Sequence, residues 1–351
     1  MIVSRPLTSA ALLLAFLAPR TAHAASRSEP SDYKGAVITD AATGAVLFER
    51  NADEVSPPAS MTKLMTYAVL VDVMQNGTLA LSTKVTVTAA DAKVGMWKDS
   101  TSVWLRQNEV FTVDDLIYAM MIQSANDAAY ALAFRAAGSV DAFVGLMNAK
   151  ARQLGMTRST FRSPHGFPPP GRHIADGDLT TPRDFAILCR YLLLHSDVLK
   201  YTSVKTRLFG AGVRLQPSQM SNHNHLLGKI QGMDGLKTGF TNGAGFCLSA
   251  TVQRNGRRII VVVMDSPDPR TRDVKVVPDL IARGFELLPP GGPTFPARPT
   301  PPGRLQAGPL PAGANSPLIP ASIVPAKGAT APAAPPPDEG PTIRFPVPGG
   351  R

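Results

Sequence analysis

Ser60 and Lys63 stand three residues apart, directly after Pro57-Pro58. Proline favours the first turn of a helix, so a helix beginning at or just before Ser60 places both side chains on one face. A serine hydroxyl is a weak nucleophile until a neighbouring base takes its proton. A lysine that is desolvated or flanked by positive charge can be that base. The spacing therefore fits a nucleophile with its general base, although the same spacing also occurs by chance in surface turns.

Two further polar segments follow in the chain. Ser124-Ala125-Asn126 comes directly after a predicted helix and offers a hydroxyl and an amide. Lys237-Thr238-Gly239 leads toward a predicted strand. Its cation and hydroxyl suit a substrate carboxylate, and its glycine lets a ligand lie close to the strand. Each segment alone has an ordinary explanation as a helix cap or a hairpin turn. All three in this order indicate one site.

The elements that must position these groups can be read from the apolar pattern. Residues 36–39 and 45–48 predict a first β-hairpin, and residues 246–252 and 258–264 predict a second one around the turn dipeptide Asn255-Gly256. Between the hairpins, apolar residues recur mostly at helical spacing over residues 64–73, 113–121, 128–136 and 182–194. Strands at both ends and helices between them indicate an α/β (α+β) fold around one mixed sheet.

Three longer stretches contain these motifs: residues 58–66 (PASMTKLMT), 124–129 (SANDAA) and 234–241 (DGLKTGFT). They resemble the low-molecular-mass penicillin-binding proteins, which are serine D-alanyl-D-alanine carboxypeptidases. Similar stretches at residues 163–166, 180–184 and 222–227 extend the resemblance over nearly the whole body of the chain. The resemblance implies the serine β-lactamase/DD-peptidase-like fold. We therefore expect a mainly antiparallel sheet covered by helices, with an all-helical subdomain.

The resemblance also implies roles for the matched residues. Ser60 would attack the penultimate D-Ala carbonyl of a peptidoglycan stem peptide, and Lys63 would take the serine proton. Ser124 would pass a proton to the leaving D-Ala, and Asn126 would orient the lysine and the substrate amide. β-Lactam antibiotics would acylate the same serine as covalent inhibitors. No cofactor or metal is expected.

The remaining roles that the resemblance implies concern substrate binding and the oxyanion hole. Lys237 and Thr238 would hold the terminal carboxylate, with Gly239 leaving room for the substrate backbone. The backbone amides of Ser60 and Phe240 would form the oxyanion hole. Some relatives carry an imidazole at the position of Phe240, so any contribution of that ring is missing in this chain.

The N-terminus predicts export. Arg5 precedes an apolar run at residues 12–18, and Ala22-His23-Ala24 has the small-x-small pattern of a signal peptidase site. We expect residues 1–24 to be a signal peptide cleaved after Ala24, which gives a periplasmic protein. The run is shorter than the roughly 20 residues that cross a bilayer, and no later segment is long enough, so no transmembrane segment is expected in the mature chain.

Composition divides the rest of the chain. From Pro289 to Arg351 the chain has 19 of its 33 prolines, a content that favours an extended, disordered tail. Residues 25–288 are then the catalytic domain. Larger members of the family that this chain resembles continue at this point into a β-rich domain and a membrane anchor. The formal net charge of +10 is compatible with binding to an anionic polymer such as cell wall, or with a basic surface that contacts only solvent. The sequence contains no nucleic-acid-binding motif.

Several alternatives remain open on sequence alone. A D,D-endopeptidase of the same family shares all the motifs, and a non-catalytic wall-binding protein would keep the fold without turnover. A class A β-lactamase needs an activating glutamate, and residues 125–236 contain none, although Asp176 or Asp178 could substitute. His223 and His225 are the only residues in the sequence that suggest a zinc peptidase. Cys189 and Cys247 are expected to be buried free thiols.

Overall fold

The computed structural model describes residues 32–169 and 176–296. The predicted signal peptide and residues 297–351 of the proline-rich segment lie outside these ranges. The strands are β1 (Gly35–Asp40), β2 (Val46–Arg50), β3 (Lys84–Thr86), β4 (Val110–Thr112), β5 (Thr206–Phe209), β6 (Ser218–Ser221), β7 (Met233–Thr241), β8 (Gly245–Arg254) and β9 (Arg257–Ser266). The α-helices are α1 (Lys63–Gln75), α2 (Ala89–Gly95), α3 (Val113–Ile122), α4 (Asn126–Ala137), α5 (Val140–Leu154), α6 (Pro182–His195), α7 (Val198–Thr202) and α8 (Val277–Leu287).

Five strands form one antiparallel sheet in the order β2-β1-β9-β8-β7. Both predicted hairpins are present, and Asn255 and Gly256 at the second turn have φ angles of 49° and 75°. These left-handed angles are the ones that a tight two-residue hairpin requires, which explains the asparagine and glycine there. The expected antiparallel sheet with helical layers is confirmed. It is not mixed, because every pairing within it is antiparallel.

The central strand β9 is buried nearly throughout and separates two cores. Alternate residues of a strand point to opposite faces of the sheet. One set packs with the helices α1 and α6 and consists of Ile260, Val262 and Met264. The other set packs with α8 and consists of Ile259, Val261 and Val263. Helices therefore cover both faces of the sheet, while α1 to α5 form the helical subdomain beside it.

The predicted helices are confirmed, with ends set by local chemistry. At the start of α3, Thr112 and Asp115 each accept a hydrogen bond from the other's backbone amide, which satisfies two amides that a helix start leaves free. The pattern did not predict the helices α2, α5, α7 and α8 or the short strand pairs β3–β4 and β5–β6. Strands of three or four residues are too short to show an alternation. Cys189 and Cys247 are buried free thiols, as expected.

No single helix within residues 32–169 and 176–296 is both long and apolar enough to span a bilayer. The helices α4 and α5 satisfy that criterion only when taken together, and a bend of 87° separates them.

The folded part continues past Leu288, where the tail was expected to begin. Residues 289–296 return to the β8–β9 turn, where the Phe295 amide donates to the Gly256 carbonyl at 2.8 Å. Arg257 donates to the Pro289 carbonyl at 2.9 Å. The Phe295 ring is 7% exposed and lies 5.2 Å from the Arg258 guanidinium. The buried Phe295 ring and these two backbone contacts place the segment against the body, although most of its other side chains are exposed.

We predict that Phe295→Ala lowers the free energy of unfolding by about 3 kcal/mol, because it removes a buried aromatic ring and leaves a cavity. Phe134→Ala is the control, since Phe134 is 45% exposed. That control should lose less than about 1 kcal/mol in the same urea titration. A loss below about 1 kcal/mol for Phe295→Ala would show that burial of this ring does not stabilise the fold.

Candidate active site

The nucleophile candidate sits on a short 3₁₀ turn. Residues Ala59–Thr62 form this turn after Pro57-Pro58, and α1 begins at Lys63. Ser60 is partly exposed, whereas Lys63 is completely buried. Their side chains meet, with 2.9 Å between Lys63 Nζ and Ser60 Oγ. The prediction that one turn brings a hydroxyl to an amine is therefore confirmed.

Three oxygens surround the Lys63 amine. Besides the Ser60 hydroxyl, it contacts Asn126 Oδ1 and the His165 backbone carbonyl, each at 2.7 Å. A carbonyl oxygen can only accept, so these two contacts use both N–H groups of a neutral amine. In that neutral form the lone pair of Lys63 Nζ is left to accept a hydrogen bond from the Ser60 hydroxyl, 2.9 Å away.

Electrostatics favour this neutral form. Burial lowers the pKa of Lys63 well below its ordinary value of 10.5, and the positive charge of Lys237 lowers it further. Asp127 and Asp178 act in the opposite direction but are weaker causes. An amine with these surroundings can take a proton from a serine at moderate pH.

The second motif lies between two helices. Ser124 occupies the link from α3 to α4 with a φ of 61°, and Asn126 is the first residue of α4. Ser100 Oγ accepts from Asn126 Nδ2 at 3.0 Å, and the Thr101 carbonyl accepts from the Asn126 backbone amide at 2.8 Å. These contacts fix the amide so that its oxygen faces Lys63. Among the described residues none hydrogen-bonds the buried Ser124 hydroxyl.

The third motif supplies a cation with no acid partner. Lys237 on β7 is 3% exposed, and its Nζ donates to the Thr238 carbonyl at 3.0 Å. Burial lowers the pKa of Lys237 to about 7, and the Arg272 guanidinium contributes in the same direction. No carboxylate in the described part of the chain forms an ion pair with Lys237. A ligand carboxylate would supply the missing negative charge.

The strand β7 is the edge of the sheet and runs beside the 3₁₀ turn. A Cβ at Gly239 would overlap the Pro58 carbonyl and lie 3.2 Å from the Met61 amide, so this approach requires glycine. The next residue, Phe240, is 50% exposed and stacks on Phe246 with 4.2 Å between ring centroids. The backbone of residues 239–240 thus borders the serine.

Sequence reasoning did not predict the structural role of four residues that hold this arrangement. His165 and Ser100 provide the oxygens already described, and Arg272 adds positive charge near Lys237. Asp178 joins the 162–166 turn to the 3₁₀ turn, because it accepts from Thr62 Oγ1 at 2.7 Å and from the Arg162 and Ser163 amides at 2.6 and 2.9 Å. The stretch at residues 163–166 was the available signal, but it did not reveal that a backbone carbonyl contacts the lysine.

The structure also bears on two alternative functions that the sequence left open, a class A β-lactamase and a zinc peptidase. Both oxygens of Asp178 are occupied by these structural hydrogen bonds, so this carboxylate is not available to activate a water. Asp176 is exposed. His223 is half-buried, with burial lowering its pKa to about 4, and His225 is exposed. In the part of the chain that the structure describes, no group of three His, Cys, Asp or Glu residues could hold a metal ion.

Comparison with known proteins agrees with the geometry. The family model for D-alanyl-D-alanine carboxypeptidases, Peptidase S11, matches residues 21–268. The D-alanyl-D-alanine carboxypeptidase DacC of Escherichia coli is 36% identical over 274 residues, which cover 76% of this chain and 66% of that protein. A D-alanyl-D-alanine endopeptidase of Escherichia coli is 32% identical over 271 residues, covering 74% of this chain and 82% of that protein.

Solved structures give the same result. Penicillin-binding protein D2 of Listeria monocytogenes, in its ampicillin-bound form, matches with a TM-score of 0.62 and 35% identity, covering 72% of this chain and 97% of that one. The chain spans between 60% and 66% of the length of the first carboxypeptidases that it matches. Fold, motif order and sequence agree, and this chain belongs to the D-alanyl-D-alanine carboxypeptidase family, Peptidase S11.

Proposed function

We propose that this protein is a serine D-alanyl-D-alanine carboxypeptidase that removes the terminal D-Ala from peptidoglycan stem peptides through an acyl-enzyme on Ser60. The observation that carries the proposal is the placement of the Lys63 amine, 2.9 Å from Ser60 Oγ and held from behind by two carbonyl oxygens. A neutral amine in this position can take the proton of the Ser60 hydroxyl.

Acylation follows from this placement. Ser60 Oγ forms a bond to the carbonyl carbon of the penultimate D-Ala, while its proton moves to Lys63 Nζ. Negative charge develops on the carbonyl oxygen, and the backbone amides of Ser60 and Phe240 donate to it. Losing one such donor typically slows the reaction by about 100-fold or more. The C–N bond then breaks as Ser124 passes its proton to the leaving amine, and Ser124 regains a proton from Lys63, so that both groups return to their starting forms.

The products leave in two steps. Free D-Ala departs first, and the shortened peptide remains as an ester on Ser60. A water molecule then attacks that ester while Lys63 takes its proton. The bond from the carbonyl carbon to Ser60 Oγ breaks, and Lys63 returns the proton to Ser60 Oγ, which regenerates the serine hydroxyl. No cofactor enters this sequence, because the enzyme's own amine and amides supply the base and the oxyanion stabilisation.

Substrate selection rests on charge. Lys237 and Thr238 hold the terminal carboxylate, with Gly239 allowing the substrate backbone to lie along β7. Asn126 orients Lys63 and the substrate amide. A buried ammonium without an acid partner favours a carboxylate strongly, which explains selection of a free C-terminal residue. A β-lactam carries a carboxylate beside its reactive carbonyl and would acylate Ser60 in the same way.

A second candidate is D,D-endopeptidase action on cross-linked peptides. The match to the Escherichia coli endopeptidase favours it, since that match covers 82% of the relative, a larger share than for the carboxypeptidase DacC. Mass spectrometry of muropeptides after digestion separates the two activities. Loss of one D-Ala from monomers indicates the carboxypeptidase, and conversion of dimers to monomers indicates the endopeptidase.

The cellular setting belongs to the same proposal. Residues 1–24 act as a signal peptide, and the mature enzyme works in the periplasm, where stem peptides are accessible. The catalytic domain begins at residue 25 and includes the packed segment up to residue 296.

We predict that residues 25–351, once purified, form a stable adduct with a fluorescent penicillin and release D-Ala from a peptide ending in D-Ala-D-Ala. Ser60→Ala should abolish both signals without unfolding the protein, because Ser60 lies at the mouth of the cleft and contributes little to the core. Gel fluorescence and amino-acid analysis measure the two signals. Adduct without release would indicate a wall-binding protein, and rapid penicillin turnover would indicate a β-lactamase.

The pH dependence of acylation tests the role of Lys63. Neutral lysine is the reactive form, so the acylation rate should rise with pH through the pKa of Lys63 and reach a plateau well below 10.5. Because the charge on Lys237 helps to lower that pKa, Lys237→Gln should move the rise to higher pH. Stopped-flow measurement of the acylation rate as a function of pH gives the pH of this rise for the unsubstituted protein and for Lys237→Gln. A rate that still climbs at pH 10.5 in the unsubstituted protein would exclude a neutral Lys63.

A further inference from the structure

Trp97 contacts the surroundings of Lys63 twice, once through its ring and once through its backbone. It lies two residues after α2, on the segment that leads to Ser100. Its ring meets the His165 ring edge-to-face, with 5.5 Å between the ring centroids and 78° between the ring planes. Its backbone carbonyl accepts a hydrogen bond from the Ser100 amide at 3.0 Å. Trp97 therefore joins two segments that are distant in sequence.

These two contacts lead to the two carbonyl oxygens that hold the Lys63 amine. On the backbone route, Ser100 Oγ accepts from Asn126 Nδ2 at 3.0 Å. Asn126 Oδ1 in turn contacts Lys63 Nζ at 2.7 Å. On the ring route, Trp97 packs on the side chain of His165, whose backbone carbonyl contacts Lys63 Nζ at 2.7 Å. One residue thus stands behind both acceptors of the amine.

The His165 side chain is held in a small aromatic cluster. His165 is 6% exposed, and the Phe167 amide donates to its Nδ1 at 3.1 Å. Phe167 also stacks on Trp97, with 6.1 Å between the ring centroids and 29° between the ring planes. The indole itself is 36% exposed. A buried imidazole is therefore packed against a partly exposed indole, and removal of the indole opens this turn to water.

Other contacts fix the same turn on the side of the nucleophile. A Cβ at Gly166 would overlap the Ala59 carbonyl, so the turn lies directly against the 3₁₀ turn. The Ser163 amide donates to Asp178 at 2.9 Å. Between these anchors, the carbonyl of His165 contacts Lys63 and its ring contacts Trp97. The indole supports the part of the turn that these anchors do not contact.

Several titratable groups face Lys63 besides its hydrogen-bond partners. They are Lys237 on β7, Asp127 on α4, Asp178, His165 and His223. Lys237 lowers the pKa of Lys63, and the two aspartates raise it, but burial is the largest cause. Burial also lowers the pKa values of His165 and His223 to about 3 and about 4, so both rings are neutral near pH 7. Exclusion of water is thus the main control on the basicity of Lys63.

We propose that Trp97 is a positioning residue for Lys63: its indole holds the His165 carbonyl against the amine and keeps water away from it. This inference rests on the proposed function, in which Lys63 is the base. Without the indole, the His165 turn loosens and admits water, which stabilises the ammonium. Lys63 is then charged at neutral pH in a larger fraction of molecules. A charged amine cannot take the proton of Ser60.

The pH dependence of acylation by a fluorescent penicillin tests this role. Trp97→Ala should move the rise in rate to higher pH by about one pH unit, a size that fits the loss of one edge-to-face aromatic contact. The rate near pH 7 should then fall about tenfold, and the plateau at high pH far less. Stopped-flow measurement at saturating penicillin gives both values. A fall by the same factor at every pH would overturn the proposal.

Two variants serve as controls for this measurement. Trp97→Phe should keep the rise close to its original pH, because a phenyl ring can also pack on His165. Trp104→Ala removes the other tryptophan of the chain, which is 62% exposed. This variant should leave the profile unchanged. A shift of the same size in Trp104→Ala would overturn the specific role of Trp97.

A double-mutant cycle tests the route through His165. His165→Ala removes the ring and keeps the backbone carbonyl, so it should shift the rise in the same direction as Trp97→Ala. The double variant should shift it no further than the larger single shift, since both substitutions remove the same contact. Shifts that add would contradict this route. Trp97→Leu takes the place of Trp97→Ala if that variant does not fold, because leucine is apolar but has no ring.

An NMR titration of Lys63 makes the test independent of turnover. With isotope-labelled lysine, and Lys63→Met for assignment, the Lys63 Cε resonance should titrate at higher pH in Trp97→Ala than in the unsubstituted protein. Because Lys237 has a pKa of about 7, the comparison is repeated in Lys237→Gln, where the same difference is expected. Identical titrations with and without the indole would overturn the proposal. Failure of the unsubstituted protein to release D-Ala would refute the proposed function while leaving this titration valid.

Discussion

The structure of the site depends on a lysine amine that is removed from water and still hydrogen-bonded on all sides. Lys63 Nζ is completely buried and contacts Ser60 Oγ, Asn126 Oδ1 and the His165 carbonyl. A charged amine there lacks both solvent and an ion pair, so burial disfavours the charged form. The neutral form keeps every hydrogen bond and directs its lone pair to the serine. The same burial that destabilises the ammonium therefore prepares the base.

The rest of the fold keeps three separate segments at this amine. The 3₁₀ turn carries the serine, the link from α3 to α4 carries Asn126, and the turn at residues 162–166 brings the His165 carbonyl. Asp178 connects that last turn to Thr62. The edge strand β7 adds a second buried lysine, Lys237, which forms no ion pair with a carboxylate of the described residues. The positive charge of Lys237 disfavours the charged form of Lys63 and so adds to the effect of burial.

Much of this arrangement could be predicted from sequence because the information is local. The proline pair before Ser60 fixes a helix start, and Asn255-Gly256 fixes a hairpin whose register aligns β8 with β9. Residues with reactive side chains, such as Lys63 and Lys237, can be recognised in the sequence from their residue type. The resemblance then supplied their order and their roles. The pattern of strands and helices was sufficient for the fold class, but it did not show that every strand pairing in the main sheet is antiparallel.

The parts that were missed depend on contacts distant in sequence. The His165 carbonyl contacts Lys63 across 102 residues, and a backbone oxygen has no identity that a sequence motif could reveal. Asp178 appears in sequence as a spare carboxylate, but in the structure its oxygens are occupied by Thr62, Arg162 and Ser163. Phe295 lies in a proline-rich segment whose composition favours disorder, but its buried ring and the backbone contacts of Pro289 and Phe295 attach residues 289–296 to the body.

The most direct test of the account is the pKa of Lys63 in the free enzyme. Isotope-labelled lysine allows the Cε resonance of Lys63 to be followed by NMR, with Lys63→Met used to assign it. The account predicts a titration well below 10.5, separate from those of exposed lysines. A Lys63 resonance that titrates together with the exposed lysines near 10.5 would contradict it, because the amine would then be charged and unable to take the proton of Ser60.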